Sequence, residues 1–534
     1  MKSKKIIYAL VSLLTANIVT SCNKLDLTPH DRTTDVEYWN NPESALYMVN
    51  KCYQGLNNAY EVLYADAMTD NAYTKVTNSY NQYIGNGTYS TADGYVHSVW
   101  ANRYAGIHQC NQLLQNIDLV PNLSEALKNR FRGEALFIRA YHYFELYTKF
   151  GDIPYFTHVI SIDESKNIGR TARQNIVENV LNDLDEIINN NYLPTDYDEQ
   201  NVGRITRWAA MSLKARILLF EGNGKYAEVL SITDKIINEG GFSLHGNYES
   251  LFTVENENNS EVILDVQYKS VDREHQVQYH FLPPSLGGYS QLSPLQELVN
   301  NYITLDGYSI TEAPVTSYDP SNPFENRDPR LAATVMYTGN SYTLENGTQH
   351  VVDTRKGSSP DGFGFSSDAS ATGYYFKKYW DNKYRSNLYS GLNIILIRFA
   401  DILLMRAEAL IESGAMNNAE WNRTIRPLRV RAGFTESRAL DFPGTSDLRK
   451  IIRQERRSEL AFEGLRHLDI MRWKIADQVL NGWAHGMYTG DAIGTDNGFI
   501  RVENRSFDPA KHYLWPIPQS ERDLNKNLTQ NTEW

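Results

Sequence analysis

The chain has 534 residues, 41% of them hydrophobic, and a formal net charge of −12, so it can bury a large core in one or more domains. An acidic surface of this size is a poor partner for phosphate backbones, which argues against a nucleic-acid-binding role. Only three cysteines occur, too few for a disulfide scaffold and an argument against a cysteine-ligated zinc site.

Lys2, Lys4 and Lys5 precede a mostly apolar run, Ile6 to Val19, interrupted by Ser12, Thr15 and Asn17. The run is too short and too polar to span a bilayer, and with Thr20 and Ser21 behind it residues 1–21 fit a secretory signal peptide. Cleavage leaves Cys22 first. Its thiol can take a diacylglycerol, and two or three acyl chains at about 0.8 kcal/mol per buried methylene hold a protein on a membrane without a transmembrane helix. The alternative is an ordinary secretion signal with an accidental cysteine. Losing the three lysines moves the formal charge from −12 to −15. Cys52 and Cys110 fall in helical patterns and read as small buried hydrophobes, with a mutual disulfide the lesser option.

A loop-rich section from Asp66 to Asp93 carries Tyr73, Tyr80, Tyr83 and Tyr89 among Asn, Thr and Gly. Tyrosine is the compositional outlier, 35 residues against 19 Phe; an apolar ring with a polar tip suits contact with amphipathic ligands, and equally a wet helix-packing surface. Trp100 falls on the apolar side of the following predicted helix, beside Tyr104 and Ile107, and is assigned to packing. "SEALKNRFRGEALFIRAYHYFELYTKFGDIP" opens on Ser124 as N-cap, repeats apolar residues every three or four positions, and stops at Gly151 and Pro154. "TRWAAMSLKARILLFEGNGKYAEVLSITDKIINEGG" predicts a helix to Phe220, a turn at Gly222 and Gly224, and a second helix to Gly240. Between about 241 and 390 the pattern breaks: "SEVILDVQY" alternates as a strand, then Gly, Pro, Asn and Ser dominate. Long loops inside a compact protein usually carry function. "RFADILLMRAEALIESGAMNNAEWNRTIRPLRVRAGF" resumes the helix hairpins, turning near Gly414. These pairs resemble degenerate tetratricopeptide units, whose apolar faces are buried only by stacking.

"RQERRSELAFEGLRHLDIMRWK" interleaves Glu455, Glu459, Glu463 and Asp469 with arginines, and "YLWPIPQSERDLNKNLTQN" follows, its Pro516 and Pro518 enforcing extended backbone. Together with "CNKLDLTP", "EALFIRAYHYFELYTKFGDIP" and "RFADILLMRAEAL", in this order, these segments resemble the SusD/RagB family from Cys22 to the terminus. The resemblance implies a mainly α protein: a tetratricopeptide-like helix-hairpin scaffold with an irregular, loop-rich insertion containing short strands. It implies a lipid-anchored outer-membrane protein that captures nutrients, usually glycans, and acts as a lid over a TonB-dependent transporter, with the helical scaffold against the barrel and the loops toward the ligand. No covalent chemistry and no cofactor are implied. The expected division is a signal peptide at 1–21, an N-terminal helical scaffold at 22–240 with a ligand-facing loop at about 66–93, an irregular section at 241–390, and a C-terminal helical scaffold and tail at 391–534. The charged helix is then structural, its Glu and Arg neutralising one another between packed helices, with Gly464 a turn residue near its end.

Pyranose rings offer C–H patches that stack on aromatic faces, and their hydroxyls need planar amides and carboxylates. "TDNAY" supplies Asp70, Asn71 and Tyr73 where the family places a ligand loop; "QYHFLPPSLGGYS" supplies Tyr279 and Tyr289 in the irregular section; Tyr80 and Tyr83 are further candidates or loop anchors. Tyrosine stands where some glycan-binding members carry Trp, which leaves a peptide ligand open. A tethered glycoside hydrolase is the more distant alternative: it needs two carboxylates about 5 to 10 Å apart, but the clustered acids here sit among arginines. HExxH, GxSxG and GxxxxGK[ST] are absent from the sequence. His108, His142 and His467 lie in helical patterns and read as satisfied or surface histidines. No EF-hand spacing occurs, so no metal is expected.

Overall fold

In the computed structural model, which describes residues 38–76, 81–384 and 388–534, short helices α1 (Pro42–Tyr53) and α2 (Ala59–Tyr64) lead into α3 (Gly94–Asn116), α4 (Glu125–Phe150), α5 (Arg173–Asn189), α6 (Arg207–Glu221) and α7 (Tyr226–Glu239). The end signals act where the sequence puts them. Ser124 accepts the Leu127 N–H at 3.3 Å and starts α4. Gly151 and Gly222, at φ of +73° and +67°, end α4 and α6 in a region that only glycine enters without strain. From α3 to α7 each helix packs on the next, and α7 then packs on α8 (Phe399–Glu412), the start of the hairpin completed by α9 (Asn418–Ala432). The protein is therefore mainly α, a stack of tetratricopeptide-like hairpins in which residues 240–393 interrupt the helix succession and its packing does not. No helix among the described residues is long and apolar enough to cross a membrane.

Helix α4 is buried on every side over its second half, with Phe137, Tyr143 and Tyr147 wholly buried and Arg139, Glu145 and Lys149 buried as well, the last three in ion pairs, as buried charges in a central helix must be. Trp100 packs against Tyr104 and Phe150 at ring distances of 5.0 and 5.1 Å. The C-terminal tail closes the end of α4: the Trp515 N–H donates to Lys149 O at 2.7 Å, and the Asn531 amide donates to Phe150 O at 2.9 Å, so carbonyls without intrahelical partners find donors. Cys52 and Cys110 are buried free thiols.

The interrupting section holds short strands and α-helices of five or six residues. Its predicted strand is β2 (Val262–Val266), antiparallel to β4 (Ile394–Arg398), and β3 (Leu292–Pro294) pairs with β1 (Ala72–Thr74), setting Tyr73 opposite Ser293. One region read as helical is not. Residues 482–505 form a hairpin, β5 (Gly482–Tyr488) with β6 (Phe499–Arg505). Its Gly-rich connection, with Gly490, Gly494 and Gly498, is a hairpin signal.

Helix α10 (Leu448–Leu460) carries the charged segment into the interior. Its glutamates and Glu463 meet cations from other elements rather than their own arginines. Arg330 donates to Glu455 and Glu459, each at 2.8 Å, and Arg398 donates to Glu261, Glu459 and Glu463 at 2.6–2.7 Å. Arg429 holds Glu455, Arg431 holds Glu459 and Glu261, and Lys378 holds Glu463. With Asp328 on Arg330, five cations with buried side chains face five buried carboxylates, so the interior cluster is neutral, as burial requires.

His142 corrects the expectation of a satisfied or surface histidine. It is wholly buried, neither ring nitrogen has a partner among the described residues, and burial, with Arg103 nearby, lowers its pKa to about 3. Its ring tip fits a notch made by Gly55 and Gly106, where a Cβ would lie 2.6 and 2.1 Å from Nε2.

Candidate functional site

The turn before α2 and the start of α3 build one wall of a cleft of about 960 Å³. Asn58 caps α2 by accepting the Tyr60 N–H at 2.9 Å and the Glu61 N–H at 3.1 Å, and Glu61 returns the bond to the Asn58 N–H, a capping box that fixes where Tyr60 and Tyr64 emerge. Asp93 caps α3 in the same way, accepting the Tyr95 and Val96 N–H groups. Tyr60, Tyr64, Tyr83 and Tyr95 line the cleft, with exposed Asn58 and Asn102 at its edge. The far wall is His280, bonded through Nδ1 to the Tyr64 hydroxyl at 2.6 Å and edge-on to Tyr60 at 5.2 Å. Beyond His280, the Tyr279 and Tyr289 rings lie 4.2 Å apart, with Tyr289 37% exposed.

The sequence candidates divide. Tyr83 lines the cleft; Tyr279 touches His280 and Tyr289, and neither of these two tyrosines is in the lining. Tyr73 is half-buried on β1, outside the lining. Tyr80 and Cys22 lie outside the described residues. Asp70 and Asn71 are interior groups. Asp70, 4% exposed, takes both Arg466 donors at 2.9 Å and Arg457 at 3.0 Å; burial opposes its ionisation, yet these arginines hold its pKa at about 2. Asn71 accepts from Arg457 Nε at 2.7 Å and donates to Asp66. A polar loop next to an aromatic looked like ligand contact because the arginines that claim it lie nearly 400 residues away. Tyr60, Tyr95, Asn102 and His280 were missed; the capping pattern "NNAYE" was the available signal for the first.

Asp66, buried beside this loop, has one carboxylate oxygen without a donor among the described residues, and burial raises its pKa to about 7 despite the Phe462 N–H and the Asn71 amide. A carboxyl with a folded-state pKa above its unfolded value contributes stability that is whole near pH 4 and lost as pH rises through 7. Asp66→Asn is expected to flatten urea stability between pH 4 and 7 and to gain about 1–2 kcal/mol at pH 8; a variant equally destabilised at pH 5 and pH 8 contradicts this.

A serine, a histidine and an aspartate also meet outside the cleft. Ser285 Oγ lies 2.8 Å from His350 Nε2 and donates to Asp361 at 2.5 Å, and the same carboxylate accepts the Ser285 N–H at 2.9 Å. Nucleophile activation places the carboxylate behind the histidine, on its other nitrogen. Here it sits on the serine, as a turn cap does.

Over residues 248–534 the chain matches a family described as the SusD family, and over residues 25–219 one described as starch-binding, associating with outer membrane. It is 28% identical over 458 residues to a SusD-like protein of Formosa agariphila, covering 82% of this chain and 78% of that one. It is 24% identical over 455 residues to the starch-binding protein SusD of Bacteroides thetaiotaomicron, covering 78% and 75%. A crystal structure of a SusD-like carbohydrate-binding protein from Bacteroides fragilis superposes with a TM-score of 0.82 at 26% identity, covering 92% of this chain and 100% of that one.

Proposed function

The chain belongs to the SusD/RagB family, and from that premise we propose that it is a non-catalytic, cell-surface glycan-binding lipoprotein, anchored through Cys22 in the outer membrane, that captures oligosaccharide and delivers it to a TonB-dependent transporter. The observation that carries this reading is the cleft: four tyrosines and two exposed asparagines around about 960 Å³. Ring faces take the C–H patches of sugars, and amides take hydroxyls in the same plane. The names of two relatives, starch-binding and carbohydrate-binding, point the same way. Both carboxylates of the cleft, Glu61 and Asp93, hold helix starts, and Glu61 is also paired with Arg103 at 2.9 Å. That wiring favours holding a sugar over cleaving it.

Titration calorimetry with neutral oligosaccharides such as maltohexaose and laminarihexaose tests the reading. Binding without release of reducing ends is expected, and Tyr60→Ala with Tyr83→Ala is expected to weaken it about tenfold or more. Reducing ends appearing with purified protein make it a hydrolase. Affinity for peptides alone moves the ligand class, and affinity untouched by the tyrosine changes moves the site. Palmitate labelling that persists in Cys22→Ala overturns the anchor.

A further inference from the structure

A second groove, of about 740 Å³, runs between the C-terminal end of α4, the start of α5 and the C-terminal tail, and shares no lining residue with the tyrosine cleft. Its charge balance is unlike that of the protein. Two of its cations are neutralised in place: Arg173 pairs with Glu221 at 2.5 Å, and Arg472 pairs with Glu408 and Asp469. Three are not. Arg170 donates only to neutral oxygens, those of Asp152 (backbone), Phe150, Thr529 and Asn531, and the nearby Asp152 carboxylate offsets part of its charge. Lys474 and Lys511 have no carboxylate within ion-pair distance among the described residues; their ammonium groups rest 4.0 Å from the Tyr513 and Trp534 ring centroids. The groove's remaining acid, Asp152, accepts the Arg173 N–H at the start of α5 through Oδ1. Burial and the neighbouring Arg173 charge both lower the Lys474 pKa, as an uncompensated positive region does.

Three cations converging on one concave surface of a chain at −12 leave a field that an anion would relieve. Lysines held on ring faces present ammonium donors in set directions, which suits oxyanions attached to a chain more than free ions, while Arg170, its N–H groups taken by the protein's own oxygens, contributes charge. We infer that this groove is a second ligand site, for sugar units carrying carboxylate or sulfate groups. The inference rests on the glycan-binding reading and extends it: beside neutral sugars in the tyrosine cleft, the protein holds acidic sugar units in this separate groove.

The test uses the full mature chain with dextran sulfate oligomers, neutral dextran of the same length, and sodium sulfate. The sulfated oligomer is expected to bind, with affinity falling as salt rises, and Lys474→Gln with Lys511→Gln to weaken it about tenfold. Lys269→Gln with Lys526→Gln removes the same net charge from lysines paired on the surface and is expected to leave it unchanged. Equal losses in the two double variants, or no binding of the sulfated oligomer by the parent protein, overturn the site. Sodium sulfate binding as tightly as the oligomer overturns the sugar-borne ligand and leaves a free-anion site. Tyr60→Ala with Tyr83→Ala should spare the sulfated oligomer and weaken neutral chains, so failure of the cleft and failure of the groove read out on different residues.

Discussion

Glu459→Gln is expected to lower stability by about 3–5 kcal/mol at pH 7, the loss that follows when one member of a buried ion cluster is removed. Glu459 is wholly buried and accepts from Arg330, Arg398 and Arg431. Glutamine keeps the shape and one acceptor but leaves the five cations facing four carboxylates. Burial works against ionisation of Glu459, yet Arg431, Arg398 and Arg330 hold its pKa well below the usual carboxylate range. A depressed carboxylate contributes stability that is present above the unfolded pKa of about 4.3 and is lost as pH falls through the folded value. The gap between parent and variant in urea unfolding should therefore be full at pH 7 and close only in strong acid. A loss under about 1 kcal/mol at pH 7 with an unchanged m-value would mean that the cluster relaxes around a missing charge. A hydrophobic replacement of the whole cluster is a different experiment, since a dry core of equal volume can be as stable.

The elements legible in the sequence were those whose signals are local. Ser124, Gly151, Gly222 and Gly414 mark helix ends by side-chain capping or backbone freedom within a few residues, and the periodicity between them fixes which face packs. The charged segment was legible as structural because its glutamates and arginines recur at spacings of three and four, where opposite charges can neutralise one another between packed helices. Its partners were not, since Arg330, Arg398 and Lys378 come from the irregular section and a strand. The same limit misplaced Asp70 and Asn71: nothing within reach of "TDNAY" announces Arg457 and Arg466. Tyr83 was within reach of the loop argument. Tyr60 and His280 were not, because the cleft exists only where a capped turn, the start of α3 and residue 280 come together, and no periodicity encodes that meeting.

Gly106→Ala separates two effects of opposite sign. In the interior of α3 the change should gain about 1 kcal/mol from helix propensity. The new Cβ, however, would stand 2.1 Å from His142 Nε2 and 2.6 Å from two ring carbons. The ring has little room to retreat, because Gly55 also lies against the same nitrogen and the residue has no exposed surface to rotate toward. Overpacking of this kind typically costs about 1–3 kcal/mol, so a net loss is expected. In a His142→Ala background, itself destabilised by the space left behind, the same Gly106→Ala change should turn neutral or stabilising, and that reversal is what identifies the clash. Stabilisation in the parent background would mean that α3 and α4 slide apart at little cost. The sliding matters for the site as well. Tyr95 and Asn102 reach the cleft from α3, so a helix displaced from α4 by one methyl group should weaken oligosaccharide binding although Gly106 is not among the residues that line the cleft. A variant that loses stability and keeps its affinity would show instead that the cleft wall is held by the capped turn and His280 alone.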